Sequence, residues 1–368
     1  MLVDIIAGAR PNFMKIAPII HELKKRASEG GALGYRLIHT GQHYDPKLSG
    51  AFFEQLNIPH PDVNLEVGSG TQAEQTGLIM MGYEKILLDG PSDLCLVVGD
   101  VTSTMACSIT AQKLDIPVAH VEAGIRSGDW SMPEEINRMV TDSITNWFFT
   151  TSEVGNNNLR KQGVSDDCIF FVGNTMIDTL LSNLNHFKKP EFWAEFSLKK
   201  REYFVLTLHR PANVDELESF SQLLKTIGES TRGLPVIFPV HPRTAKTLNK
   251  LDVLPTNLCL VEPQSYLEFN YLMRHAKAVI TDSGGITEET TVMGVPCMTL
   301  RDNTERPETV SIGTNELLGT NPESIKPALD KLFAGVWKKG AIPDLWDGKA
   351  AERIVDCLER ILCNQQCS

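Results

Sequence analysis

No apolar run in this sequence approaches the roughly 20 residues of a membrane-spanning helix, so a membrane protein is not expected. Positive charge is in deficit: the formal net charge is −11, which argues against nucleic acid and anionic membrane surfaces as partners. Cysteine pairing is missing too. The thiols at 95, 107, 168, 259, 297, 357, 363 and 367 are scattered, and the close pair Cys363 and Cys367 has no further Cys or His beside it. That spacing predicts no structural zinc, and reduced, buried thiols in a cytoplasmic protein. A strand pattern already runs from Met1 to Ile6, so no signal peptide is expected. The turn after that strand lacks G-x-G-x-x-G, which removes the main support for NAD.

What is present is ordinary globular material, 42% hydrophobic and 22% charged, in 368 residues. That length predicts two domains of roughly 180 residues. Short continuous apolar runs such as Val3–Ala7, Leu94–Val98, Val118–Glu122, Tyr203–Leu208, Val236–Val240 and Ala278–Thr281 alternate with amphipathic stretches such as Phe13–Glu29, Thr102–Leu114, Pro133–Asn146 and Ile286–Met293. Strands that are apolar on both faces, separated by helices, predict parallel sheets covered on both sides. The pattern pauses between about Asn183 and Arg201. The expected architecture is α/β: two doubly wound Rossmann-like domains facing a central cleft, 1–176 and 177–347, with the last helix free to pack on either.

The most informative stretch is Asp282-Ser283-Gly284-Gly285-Ile286-Thr287-Glu288-Glu289, fed by the run Ala278-Val279-Ile280-Thr281. Strand, Ser-Gly-Gly turn and helix bring open backbone N–H groups to a helix start, where a phosphate is favoured. A carboxylate in the next turns can hold a sugar diol. The competing reading is an ordinary tight turn with a charged first helical turn. Elsewhere, polar groups gather just after strand ends. Arg10 and Lys15 follow the first strand and suit an anion or nucleotide edge, and His43 follows the second, near a ligand. Asp100 serves either as a helix N-cap or as a site carboxylate. Glu122 ends a very apolar strand and needs a partner, for which Arg126 is the structural candidate. Glu134 and Glu135 open a helix behind Pro133, which is good capping chemistry. Three acids at three strand ends of one domain can nonetheless move protons on and off carbon. In the other half, His209-Arg210 and His241-Pro242-Arg243 suit phosphate oxygens. The charged run Arg301 to Glu308 is either a solvated loop or a substrate contact.

Taken in order, Gly8-Ala9-Arg10-Pro11, Thr40-Gly41-Gln42-His43, Gly99-Asp100, Val121-Glu122-Ala123-Gly124, Pro133-Glu134-Glu135-Ile136-Asn137-Arg138, Val172-Gly173-Asn174-Thr175, His209-Arg210, Asp282-Ser283-Gly284-Gly285-Ile286 and Thr304-Glu305-Arg306-Pro307-Glu308 resemble the non-hydrolysing UDP-N-acetylglucosamine 2-epimerases. The resemblance spans residues 8 to 308. It implies a glycosyltransferase-B-like architecture with a C-terminal helix, about 348–364, returning to the first domain, and a homodimer. It implies interconversion of UDP-GlcNAc and UDP-ManNAc through a 2-acetamidoglucal without NAD or an essential metal, feeding cell-surface polysaccharide synthesis. By motif, Asp100, Glu122 and Glu134 would be the acid/base carboxylates and His209 would ease departure of UDP. Ser283, Gly284 and Gly285 would bind phosphate, Glu289 the ribose, and Arg10 and Arg306 the nucleotide and diphosphate. Lys15, His43, Arg210 and His241 complete the expected binding set.

Two departures stand out. The segment from Gly124 to Pro133 is shorter than in many bacterial members, which leaves a 3-acetamido or uronic acid derivative open as substrate. The continuation Tyr44-Asp45-Pro46-Lys47 differs from members activated by their own substrate, which argues against such activation. A hydrolysing epimerase, a glycosyltransferase of the same fold and a UDP-sugar sensor are the competing readings, and the trio of acids disfavours the sensor.

Overall fold

A computed structural model describes residues 1–41 and 56–365; the expected ligand contact at His43 and the stretch Tyr44 to Lys47 lie outside the described residues. The chain divides into two compact units, Met1–Ser182 with Asp344–Ser368, and Asn183–Pro343. Among the described residues no helix is long and apolar enough to cross a membrane.

Each unit is built on one parallel sheet. In the first, β1 (Leu2–Ala7), β2 (Gly34–His39), β3 (Val63–Asn64), β4 (Leu94–Val98), β5 (Val118–Val121), β6 (Trp147–Thr150) and β7 (Ile169–Phe171) lie in the order β3-β2-β1-β4-β5-β6-β7. In the second, β8 (Phe204–Thr207), β9 (Val236–Pro239), β10 (Leu258–Val261), β11 (Ala278–Thr281), β12 (Cys297–Thr299) and β13 (Asn315–Leu317) lie in the order β10-β9-β8-β11-β12-β13. Both orders reverse direction beside the unit's first strand, between β1 and β4 and between β8 and β11. Adjacent loops part there, leaving a crevice at the carboxyl ends of the strands.

The apolar runs are continuous because both faces of each sheet are covered. In the second unit Phe204 and Leu206 pack with Phe220, Leu223 and Phe238, while Tyr203 and Val205 point the other way to Ile237, Leu272 and Met273. In the first unit Ile6, Cys95, Val97 and Val118 share a core with Ile79, Tyr83 and Cys107. Asp4 is a polar exception inside β1: it is fully buried and accepts from Arg36 at 2.7 and 2.8 Å and from the Tyr83 hydroxyl at 3.0 Å.

The strands at Leu94–Val98, Trp147–Thr150, Leu258–Val261 and Ala278–Thr281 match the apolar runs residue for residue. The edge strands β3 and β13 were not expected. β13 is Asn-Glu-Leu, with no apolar alternation; it pairs in parallel with β12, Leu318 N donating to Thr299 O at 2.8 Å, and Thr299 Oγ1 adds a bond to Asn315 Oδ1 at 2.7 Å. The helix Glu153–Lys161 was also missed, because three asparagines in its middle hide the period; Ser152 caps it and Asn156 meets Thr150 Oγ1 inside the core.

The division between units falls after Ser182 rather than after residue 176, because the helix Thr175–Asn183 is anchored in the first unit. Thr179 Oγ1 donates to the Met14 carbonyl at 2.5 Å, and Asp178 accepts from the amides of Ala350 and Ala351 at 3.1 and 2.7 Å. Asp178 thereby caps the helix Ala350–Gln365, which belongs to the same unit. Burial nevertheless pushes the Asp178 carboxyl up to about 6. Trp346, only 1% exposed, enters the unit just before that helix and donates from Nε1 to the Thr151 carbonyl at 2.9 Å. Trp346→Ala is expected to destabilise the first unit by about 3–5 kcal/mol, read as a lower urea midpoint.

Candidate active site

In the first unit the chemistry gathers at the carboxyl ends of β1, β4 and β5. The turn after β1 is held by Asn12, whose Oδ1 accepts from the amides of Gly8 and Ala9 at 3.2 and 2.9 Å while its Nδ2 donates to Val98 O at 3.0 Å. Gly8 is required by space, since a Cβ there would lie 2.0 Å from Ser103 Oγ. Arg10 opens the helix Arg10–Ser28 from this turn. One turn further on, Lys15 points its Nζ to Glu122 Oε2 at 2.6 Å, and both side chains are buried.

That contact corrects the expected pairing of Glu122 with Arg126. Arg126 Nη2 instead meets Asp142 Oδ2 at 2.6 Å, and Asp142 also accepts from Gly124 N at 3.0 Å and faces His120 Nδ1 at 2.7 Å. His120 Nε2 lies 2.8 Å from Gly99 O, so one buried cluster braces the loop before Asp100 and the loop after Glu122. Burial raises the Asp142 carboxyl, but His120 and Arg126 outweigh it and hold it below the usual carboxylate range.

Asp100 is not a helix cap; the residue at that position of the helix Thr102–Lys113 is Val101. Its carboxylate is bound by Arg138 at 2.5 and 3.1 Å, and its carbonyl accepts from Asn137 Nδ2 at 2.9 Å. Arg138 also holds Glu135 at 2.7 Å. Glu135 is buried and accepts the amides of Ser127 and Gly128 at 2.9 and 3.0 Å; burial raises its carboxyl, and these amides and Arg138 bring it below its ordinary value. Its neighbour Glu134 is half-buried and has no hydrogen-bond partner among the described residues. Two adjacent acids thus have separate roles: Glu135 anchors, and Glu134 is left available.

In the second unit the loops after β8 and β11 meet around Asp282, which is fully buried. Its Oδ2 accepts from His209 N at 3.0 Å, Arg210 N at 2.9 Å and Asn213 Nδ2 at 3.2 Å, while Oδ1 lies 2.9 Å from His209 Nδ1. Burial raises the Asp282 carboxyl, yet His209 and the two amides leave it below its ordinary value. Arg210 Nε returns to the Asp282 carbonyl at 3.0 Å. Next comes the helix Gly284–Met293, whose N-cap Ser283 makes no side-chain cap bond. Residues 283 to 286 are partly exposed whereas 287 to 291 are buried, so the open amides of the first turn are the accessible end of this helix.

The run Arg301 to Glu308 is not a solvated loop: Arg301, Glu305, Arg306 and Glu308 are all buried. Arg301 grips Glu305 through both nitrogens at 2.7 Å, and Arg306 is ion-paired with Glu288. Burial raises the Glu305 carboxyl, but Arg301 and Arg306 hold it at about 2. Arg210 Nη2 lies 3.7 Å from Glu305, and a Cβ on Gly284 would lie 3.6 Å from it, so this charge cluster borders the helix start. His241 is exposed after β9, whose following helix is tied to β8 by Thr244 Oγ1 donating to Leu208 O at 2.9 Å.

The structure therefore brings Lys15, Asp100, Glu122 and Glu134 to one sheet end of the first unit, and His209, Arg210, Ser283 and Gly284 to one sheet end of the second. Asp282, Asp142, His120 and Arg138 are central to these clusters and were not singled out. Asp282 had a signal, an acid at a strand end beside the Ser-Gly-Gly turn; His120, inside an apolar strand, had none beyond being polar there.

Two doubly wound units with a phosphate-ready turn in the second define a nucleotide-sugar protein of glycosyltransferase-B-like fold. A family model described as UDP-N-acetylglucosamine 2-epimerase matches residues 25–359. The chain is 43% identical to the UDP-N-acetylglucosamine 2-epimerase of Methanocaldococcus jannaschii, over 97% of this chain and 99% of that protein. The crystal structure of that enzyme with UDP-GlcNAc and UDP superposes with a TM-score of 0.87, again covering 97% and 99% of the two chains. The chain is also 35% identical to a UDP-2,3-diacetamido-2,3-dideoxy-D-glucuronate 2-epimerase of Pseudomonas aeruginosa, over 97% and 99% of the two chains. The protein belongs to the UDP-N-acetylglucosamine 2-epimerase family.

Glu289 is buried among Tyr266, Asn270 and Glu288, and burial pushes its carboxyl from 4.5 up to about 7. At a pH below 4.5 the group is protonated in folded and unfolded chains alike. As pH rises from 4.5 to about 7 the unfolded chain releases the proton first, so folding stability falls through that window. Glu289→Gln is expected to stabilise the UDP-free protein by about 3 kcal/mol above that window and to be neutral below it. Urea titrations at acid and alkaline pH check this, and an equal effect at both would contradict it.

Proposed function

We propose that the protein interconverts UDP-N-acetylglucosamine and UDP-N-acetylmannosamine by elimination and re-addition of UDP. The observation that carries this reading is the end-to-end match to the Methanocaldococcus jannaschii enzyme. That match is higher than to the diacetamido-glucuronate enzyme, which favours the unmodified sugar. In the first step the C1–O bond breaks and its electron pair leaves on the β-phosphate oxygen. A carboxylate takes the C2 proton, and the C1=C2 bond of 2-acetamidoglucal forms. UDP then returns to C1 while a proton is delivered to the opposite face of C2. Neither step transfers a hydride, so this route calls for no NAD. The leaving charge would be met by dipoles and arginine rather than by an essential metal.

In this reading Asp100, Glu122 and Glu134 surround the sugar as acid and base, with Lys15 and Arg138 setting where two of them sit. His209 assists the departing diphosphate. Ser283, Gly284 and Gly285 offer amides to phosphate, with Arg10, Arg210, His241 and Arg306 on the nucleotide and diphosphate side, joined by His43, which lies outside the described residues. Glu289 takes the ribose. A cytoplasmic homodimer supplying cell-surface polysaccharide synthesis completes the proposal; the described cysteines are unpaired thiols, which suits a reducing compartment.

Proton NMR of the purified protein with UDP-GlcNAc in deuterated buffer, without NAD or metal, tests the route. UDP-ManNAc carrying deuterium at C2 is expected. Free ManNAc and UDP would instead mark a hydrolysing enzyme, and an unchanged sugar would move the reading to a modified substrate or a transferase. Replacing Asp100, Glu122 or Glu134 by its amide should lower kcat by roughly 10²–10⁴. Near-normal turnover in all three folded variants would remove the acid/base assignment.

A further inference from the structure

We infer that Asp282 is a positioning residue that decides which ring nitrogen of His209 carries the proton, so that Nε2 rather than Nδ1 is presented to the departing diphosphate. This rests on the reading above for the identity of the diphosphate, and on geometry for the rest. An ionised carboxylate accepts and does not donate, so the His209 Nδ1 that lies 2.9 Å from Asp282 Oδ1 must carry hydrogen. Asp282 has no exposed surface, and its other oxygen is already surrounded by donors: His209 N, Arg210 N and Asn213 Nδ2. The imidazole side chain is 48% exposed, and its Nε2 has no hydrogen-bond partner among the described residues. Nε2 is then the nitrogen free to meet substrate, accepting in the neutral ring and donating in the imidazolium.

The same residue registers the ring against the phosphate turn. The Asp282 amide donates to Thr207 O at 3.3 Å, its carbonyl accepts from Arg210 Nε at 3.0 Å, and its chain continues directly into Ser283 and Gly284. His209 and the open amides of the helix start are therefore both anchored to one buried residue. A proton passed from Nε2 to the β-phosphate oxygen as the C1–O bond breaks returns to Nε2 when UDP re-adds, while Nδ1 keeps its own proton throughout.

The donors around Oδ2 also foretell what an amide would do here. In Asp282→Asn the carbonyl oxygen must stay where three N–H groups point, which turns the NH₂ toward His209 Nδ1. Most of the loop's hydrogen bonds survive, but Nδ1 is forced to accept and the proton moves to Nε2. The variant keeps the shape of the loop and inverts the tautomer.

Nitrogen NMR of the protein labelled with ¹⁵N-histidine, with His209 assigned through His209→Gln, tests this. The expected wild-type neutral ring has a protonated Nδ1 and a bare Nε2, and added UDP shifts Nε2. Asp282→Asn should exchange the two signals and lower kcat for C2 epimerisation by roughly 10²–10⁴, as loss of tautomer control does in a histidine–aspartate pair, with KM changed less than about threefold. A wild-type ring protonated at Nε2 overturns the inference, and should Asp282→Asn not fold, that measurement decides alone. So does a folded Asp282→Asn that keeps kcat and loses only KM or stability, which is what a purely structural residue would give. If the protein does not epimerise UDP-GlcNAc, the functional reading fails separately. The inference is then judged on the tautomer and on whether UDP reaches Nε2: a shift supports it, and an Nε2 untouched by saturating UDP overturns it.

Discussion

Carboxylates buried at the carboxyl end of a parallel sheet govern how this protein is put together. A carboxylate there has left the sheet's hydrogen-bond ladder and water behind, and is tolerable only if N–H groups and cations close around it. Asp282 gathers two amides, an asparagine and a histidine; Asp142 gathers an amide, an arginine and a histidine; Glu305 takes both arms of Arg301. Around Asp282 and Asp142, groups far apart in sequence are drawn to one carboxylate, while Arg301 grips Glu305 from four residues away, and the loops that carry them are braced. The site loops owe their shape to these charges more than to their own turn propensities.

Backbone geometry at the first unit's crevice shows how far that constraint reaches. Gly99, Glu122 and Gly124 have φ values of +70, +69 and +77°, a cluster of left-handed residues at adjoining strand ends. Gly124 has to be glycine on two counts, since a Cβ would also lie 2.4 Å from Gly155 O. Glu122 has no such licence, and a non-glycine residue there costs of order 1 kcal/mol. The ion pair with Lys15 and the amide of Gly124 held by Asp142 offset that cost, and the carboxylate is fixed against the helix after β1.

The sheets were legible in the sequence because their signal is local: a strand covered on both faces is apolar along nearly its whole length, as Leu94–Val98 is throughout and Ala278–Thr281 is up to its last residue. The Ser-Gly-Gly turn between β11 and the helix Gly284–Met293 was legible for the same reason, its strand, glycines and helix being contiguous. Pairing was not. Glu122 and Arg126 are four residues apart, yet Glu122 is met by Lys15 from the helix after β1 and Arg126 by Asp142 from another helix, choices made by which chain segments the sheet order sets side by side. Nor could sequence distinguish Glu134 from Glu135, since helical rotation alone turns one into the Ser127–Gly128 amides and leaves the other half-buried. β13 escaped notice because it is three residues long with one apolar side chain, and its place is set by pairing with β12 rather than by a hydrophobic run.

The two sheets share one strand order but place opposite chemistry at the switch point. In the first, acids converge: Asp100, Glu122 and Glu134 stand at the ends of neighbouring strands or on the helix beside them. In the second, open amides, His209, Arg210 and Arg301 converge on the same relative position. Strand order decides where a crevice forms and leaves its contents to the loops. The proposed reaction, which takes a proton from carbon while expelling a diphosphate, would need both kinds of environment, one that accepts protons and one that accepts negative charge. Carrying the two chemistries on separate copies of one architecture would let the acids of the first unit serve the carbon and the amides of the second serve the phosphate, each within its own set of braced loops.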